Sequence, residues 1–169
     1  MAEQIVRERL QPSLLDRLTD DEPGKAVEGR DRRVISLDRL RECVLRDLSW
    51  LLNTGRLEQL QSLEEYPEVA HSVLNYGSLD LSGRLLSSSD IHELEGAVRQ
   101  AIWDYEPRIL RDTLRVRTVI DTEAMGSNSI TFEIEGSLWA QPMPMRMFMH
   151  TEIDLETGHV EVVEKLGSL

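Results

Sequence analysis

One cysteine, Cys43, stands in the whole chain of 169 residues, so no internal disulfide can staple the fold. A lone thiol fits a reducing compartment. No apolar run approaches the roughly 18–20 residues that a membrane-spanning helix needs. Met1 to Leu10 alternate charged and apolar side chains, without the apolar stretch of a secretory signal. A cytoplasmic protein with no direct membrane insertion is expected. Basic charge is also short: 19 Lys and Arg stand against 31 Asp and Glu, a formal charge of −12. Binding a nucleic-acid backbone requires neutralising phosphates, which this surplus opposes. Anionic membrane surfaces are disfavoured for the same reason. A protein partner with basic patches fits better, and strong net charge keeps a free subunit soluble.

Catalytic and metal-binding signatures are missing as well. His71, His92, His150 and His159 fall in four separate elements, and no His-x-x-x-His or Cys-x-x-Cys pair occurs. No glycine-rich phosphate loop follows a strand, and no Gly-x-Ser-x-Gly elbow appears. Cys43 lies at the edge of a helical stripe without a nearby His or Lys to lower its pKa, so it reads as a packed residue. No catalytic group, metal or cofactor is assigned.

What is present is enough apolar content, 40% of residues, for one compact core. The run Ser13-Leu14-Leu15-Asp16-Arg17-Leu18 offers about one amphipathic turn, too short to be stable alone. Thr19 to Arg33 is charged, Gly or Pro almost throughout and reads as a mobile linker. From Ser36 to about Asn53, Leu37, Leu40, Val44, Leu48, Leu51 and Leu52 recur at steps of three and four, predicting a helix capped by Ser36 and stopped near Gly55. Pro67 predicts the start of a short helix with Val69, Val73 and Leu74 buried. Asn75-Tyr76-Gly77 and Ser82-Gly83 read as turns. A second long helix is expected over Ser88–Tyr105, with Ser89 and Asp90 as capping candidates and Pro107 as its terminator.

Beyond Pro107 the apolar period falls to two. Strands are expected over 114–118, 130–138, 145–154 and 159–163. Leu155-Glu156-Thr157-Gly158 joins the last two as a hairpin. The third strand has apolar residues on both faces, which suits a central position or one covered on both sides. Helices followed by strands predict an α+β fold. Two long helices pack on a small, mainly antiparallel four-stranded sheet, preceded by a mobile N-terminal arm. Residues 1–34 form the arm and charged linker, and 35–169 a single α+β domain.

Three local features carry chemistry. In Asp104-Tyr105-Glu106-Pro107-Arg108 a proline restrains the acid before it and directs the base after it. Chemistry alone favours an internal salt bridge there over a docking element. Arg108, Arg111, Arg115 and Arg117 form either a basic patch for an acidic partner or one side of cross-strand pairs with Glu133 and Glu135. Met143, Met145, Met147 and Met149 alternate along one strand face, suiting core filling more than an adaptable interface.

Together these blocks resemble TssE, the small baseplate wedge subunit of type VI secretion systems, which is similar to a phage tail baseplate wedge protein once labelled lysozyme-like. The likeness rests on Leu14 to Leu18, Arg46 to Thr54, Tyr66-Pro67 with Ser72 to Gly77, Glu106-Pro107-Arg108, and Phe132 to Gly136 with Leu138-Trp139-Ala140. Asp154 to Gly158 adds to it. The resemblance implies a structural part rather than an enzyme. It implies contact with the larger wedge subunits, corresponding to the F and G components, and with sheath subunits whose polymerisation it helps to start. It also implies docking through Glu106, Pro107 and Arg108, reversing the preference that chemistry alone gives. The arm at Leu14, Leu15 and Leu18 is expected to latch onto a neighbour, and the sheet to offer a backbone edge to the sheath. The alternative is a lysozyme-like hydrolase using Glu106 on peptidoglycan. A glycosidase needs a second carboxylate across a cleft, and none is marked here.

Overall fold

The structure, a computed structural model, describes residues 13–19, 23–24, 35–79, 88–119, 129–140 and 143–165, without the side chains of 88–90. Most of the charged linker, the Ser82-Gly83 turn and the capping side chains Ser89 and Asp90 lie outside the described residues. Among these, four α-helices precede four strands: α1 (Leu14–Leu18), α2 (Leu37–Leu52), α3 (Pro67–Ala70), α4 (Ser88–Tyr105), β1 (Arg115–Val119), β2 (Ser129–Leu138), β3 (Met145–Asp154) and β4 (Val160–Glu164).

Helix α2 begins where the sequence places its cap. The Ser36 hydroxyl accepts from the backbone N–H of Arg39 at 3.1 Å, satisfying one of the unpaired donors of the first turn. The expected stripe is buried at Leu40, Val44, Leu48, Leu51 and Leu52. Each such side chain contributes on the order of 1.5–3 kcal/mol through removal from water. Gly55 is not the stop: Asn53 caps the helix, and Gly55 instead bridges to Ser78. Helix α4 turns Leu94, Val98, Ala101 and Ile102 inward. It ends at Tyr105, one residue before the Glu106-Pro107 step.

The strands form one antiparallel sheet in the order β1-β2-β3-β4. Alternation puts Phe132, Ile134, Leu138, Met147, Met149 and Ile153 on the inner face, under the two long helices. The outer face carries Arg115, Glu133, Phe148 and Glu152 and is exposed. β3 is therefore central, as expected, but covered on one side only. Gly158 closes the β3–β4 hairpin at φ 72°, and the Asp154 carboxylate accepts from the N–H groups of Glu156 (2.8 Å) and Thr157 (3.1 Å). Those two N–H groups hold the Asp154 carboxyl below its ordinary value.

The 57–78 segment corrects the sequence reading. Val69, expected to be buried, is half-buried, Val73 and Leu74 are 81% and 67% exposed, and Asn75 is buried in their place. The Asn75 amide accepts from the Glu58 N–H and donates to the Ala70 carbonyl, both at 2.9 Å. A 3-10 turn over Val73–Asn75 can thus bury a side chain that satisfies the loop's own backbone, leaving the apolar pair outside. Gly77, at φ 137°, lies so close to the 54–56 backbone that a Cβ would meet the Thr54 carbonyl oxygen at 2.4 Å. The Tyr105 hydroxyl donates to the Ser72 carbonyl at 2.8 Å and fastens the loop to α4.

Candidate functional site

After α4 the chain turns at Glu106-Pro107-Arg108 and enters the sheet. The Trp139 N–H donates to the Arg108 carbonyl at 2.7 Å and the Leu110 N–H to the Ser137 carbonyl at 2.9 Å. Ile109 packs over Gly136, where a Cβ would come within 2.9 Å of its Cγ2 methyl. The turn is thereby clamped on both sides of Ile109.

Glu106 is only 3% exposed, a costly place for a carboxylate unless it is fully paired. Its Oε1 accepts from the Arg108 backbone N–H (3.1 Å) and Nε (2.6 Å), and its Oε2 from Arg108 Nη2. The same Nη2 reaches Asp47 Oδ2 at 2.5 Å. Asp47 Oδ1 in turn accepts from Arg46 Nε (2.9 Å) and Nη2 (2.7 Å). Arg46 Nη1 holds Asp16 Oδ1 at 2.7 Å, and the Ser13 hydroxyl donates to Asp16 Oδ2 at 2.6 Å. One alternating run of charges thus joins α1, the middle of α2 and the turn after α4, segments distant in sequence. Burial would pull the Arg108 guanidinium down, but Glu106 and then Asp47 push it up and prevail. Burial pushes Asp16 up, and the Ser13 hydroxyl with Arg46 outweighs it, leaving that carboxyl below its ordinary value. Cys43 is buried against Asp16, and burial together with that carboxylate raises the thiol. A raised pKa makes it inert rather than nucleophilic.

The arm lies against this network in an unusual sense. Ser13 and Asp16 face the body of the protein, whereas Leu14 and Leu18 are 71% and 74% exposed and Leu15 is also exposed. No residue of α1 is buried. Its polar face is inside and its apolar face outside. Trp50, half-exposed on α2, adds an indole to this side, with the Arg46 guanidinium 5.0 Å from its ring centre.

A family model described as baseplate wedge protein gp25 matches residues 38–143, more than half of the chain. The chain belongs to the baseplate wedge protein gp25 family. The type VI subunit that the sequence resembles is a member of the same family. The matched stretch contains Arg46, Asp47 and the Glu106-Pro107-Arg108 turn but not the arm. Among solved structures, a crystal structure from Geobacter sulfurreducens described as a candidate tail lysozyme is similar at 17% identity and a TM-score of 0.49, over 72% of this chain and 96% of that one. A likeness of that size carries no argument about activity. No curated protein sequence matches.

Glu106 is poorly disposed for acid catalysis. Both its oxygens are occupied by Arg108 and it is turned away from solvent. Among the described residues no group of three or more His, Cys, Asp or Glu is placed to hold a metal ion, and no helix is long and apolar enough to cross a membrane. Arg111 donates to the Trp103 carbonyl at 2.9 Å. Arg115 and Arg117 stand opposite Glu135 and Glu133 in register, yet those carboxylates lean away, towards Arg146 (3.6 Å) and Lys165 (3.4 Å). The methionine run divides: Met147 and Met149 fill the core, and Met143 is exposed.

Both sheet edges carry a side chain from a helix. In an antiparallel pair alternate residues turn their N–H and C=O groups away from the partner strand. On β4, Val160 N–H donates to Asn53 Oδ1 (2.9 Å) and its carbonyl accepts from Asn53 Nδ2 (2.7 Å), so the amide stands where a fifth strand would. On β1, the Thr118 N–H donates to Glu95 Oε1 at 2.7 Å. That N–H is the main cause holding the Glu95 carboxyl below its ordinary value. Further along β4, the outward groups of Val162 and Glu164 have no backbone partner among the described residues. Sequence reasoning missed Asn53, Asp47 and Trp50 as working residues. Asn53 offered one signal, as an amide at a helix end.

Proposed function

We propose that this chain is the small wedge subunit of a type VI secretion baseplate, a cytoplasmic structural part with no catalytic activity. Residues 1–34 serve as arm and linker ahead of a single domain, 35–169. The subunit docks on the larger wedge subunits, the F and G components, through Leu14, Leu15 and Leu18 and through the Glu106-Pro107-Arg108 turn. It offers the part of the β4 edge that has no backbone partner among the described residues, at Val162 and Glu164, to an extended segment of a sheath subunit, and so helps to start the sheath.

The observation that carries this reading is the inverted arm. A five-residue helix has no stability of its own, and here it is anchored by Asp16 and Ser13 while its leucines face water. Folding of the subunit gains little from those leucines, whereas covering them in an assembly removes apolar area from water. The turn contributes differently: buried Glu106 fixes Arg108, whose side chain stays 23% exposed beside the arm's anchor.

The test is co-expression with the two larger wedge subunits followed by size-exclusion chromatography, wild type beside Leu14→Asp/Leu18→Asp. These exposed positions can change without loss of fold. Co-elution of wild type, lost in a double variant with unaltered melting temperature, supports docking through the arm. Co-elution of both removes the arm from the interface, and absence of co-elution by wild type overturns the type VI assignment.

A further inference from the structure

Asp47 is shared between two arginines. Its Oδ1 takes Nε and Nη2 of Arg46 at 2.9 and 2.7 Å, and its Oδ2 takes Nη2 of Arg108 at 2.5 Å. The edge of Arg46 left over, Nη1, is what holds Asp16 and the arm. Five charged groups, three acidic and two basic, therefore lie in one line from Glu106 to Asp16, and Asp47 sits between the two bases. Arg108 Nη1 is enclosed and has no acceptor among the described residues.

We propose that Arg46 and Asp47 are positioning residues of the docking surface, with Asp47 setting how firmly Arg46 grips Asp16 and hence whether the arm stays down. This rests on the reading of the arm and the turn as docking elements. The direction follows from the charges. While Arg108 draws on Asp47, Arg46 keeps more of its attraction for Asp16. When an acceptor on a partner takes Arg108 instead, Asp47 falls wholly to Arg46 and the positive potential at Asp16 drops. The arm then loosens and its leucines are free to reorient onto the partner. Docking acquires an order, the turn first and the arm second, through contacts of 2.5–2.9 Å rather than through any movement of the sheet.

A merely structural network behaves otherwise, because every break in it loosens the arm. The shared-charge arrangement predicts opposite signs for two substitutions. Millisecond hydrogen exchange over residues 14–19 of the full chain without partners reads the arm through the Arg17 N–H to Ser13 and Thr19 N–H to Leu15 bonds. Arg108→Gln, which removes a positive charge, is expected to speed this exchange about threefold, the scale of one partly screened charge pair. Asp47→Asn keeps an acceptor oxygen in place but removes the competing charge, and is expected to slow it by about the same factor. Exchange over the α2 core, residues 43–51, shows whether either variant unfolds. If Arg108→Gln does, Asp47→Asn alone decides: slower exchange supports the proposal and faster exchange overturns it. Faster exchange in both variants, or no change in either, also overturns it. Because no partner is present, such a failure is distinct from failure of the docking reading, which shows only in the co-elution experiment.

Discussion

Replacing Asn53 by Ala tests a two-sided tertiary contact between a helix end and a sheet edge. The amide pairs with both backbone groups of Val160 at 2.9 and 2.7 Å, and its Nδ2 also reaches the Ser49 carbonyl at 2.8 Å. Val160 is buried, so water cannot fully replace what the alanine lacks. A buried backbone group left unpaired costs about 1–3 kcal/mol. Two such groups, allowing for partial hydration at a sheet edge, give about 2–4 kcal/mol. At about 3 °C per kcal/mol for a domain of this size, the melting temperature falls by about 6–12 °C. Urea unfolding followed by tryptophan fluorescence, with thermal circular dichroism as a second probe, measures both quantities. Asn53→Asp separates the two bonds: the acceptor for the Val160 N–H survives, but a carboxylate oxygen now faces the Val160 carbonyl. Its loss of stability is expected to equal or exceed that of the alanine variant. A fall of less than about 2 °C in Asn53→Ala, well under one unpaired buried group, would refute the account of Asn53 as a surrogate strand.

Glu106→Gln leaves the half-buried Arg108 with only Asp47 as a charged partner and is expected to cost about 2–4 kcal/mol in unfolding free energy. On purified peptidoglycan the wild-type protein is expected to give no clearing, and sustained clearing abolished by Glu106→Gln would restore the hydrolase alternative. Gly77→Ala forces a Cβ to 2.4 Å from the Thr54 carbonyl oxygen at positive φ and is expected to cost at least about 2 kcal/mol, read by the same urea titration. For Asp16 the folded pKa lies below the unfolded value, so its hold on the arm is complete above about pH 4 and is lost only as pH falls through the lower folded value. Exchange at residues 14–19, corrected for intrinsic rates, is thus expected to stay constant between about pH 5 and 8 and to rise below about pH 4. His71 runs the other way: its bond to Asp104 raises its pKa, so its contribution is full below about 6.5 and lost as pH rises through the higher folded value, as titration of its ring protons by NMR can follow.

Much of the fold is carried by local patterns. The Leu40-Val44-Leu48-Leu51 stripe admits one buried helix face, and alternation in Ile130-Phe132-Ile134 admits one inner sheet face, because periods of 3.6 and 2 follow from backbone geometry alone. Ser36 before that stripe and Pro107 after Tyr105 mark boundaries through a missing hydrogen-bond partner and a steric clash, both local effects. Glycine at 158 and the Asp154 carboxylate make a hairpin for reasons contained in a few residues. The Glu-Pro-Arg turn was likewise visible as a constrained acid and base.

Only the tertiary structure decided which partners these groups take. Arg46 and Asp47 are neighbours on a polar helix face, and nothing in the spacing shows that they span from Asp16 to Arg108. The burial of Asn75 in place of Val73 and Leu74 turned on backbone groups of Glu58 and Ala70 that needed a partner. The arm's amphipathic turn was legible in Leu14, Leu15 and Leu18, but not that it would dock by its polar side. A period fixes which residues share a face. Which way that face turns depends on charges and unpaired backbone groups brought close only once the chain has folded.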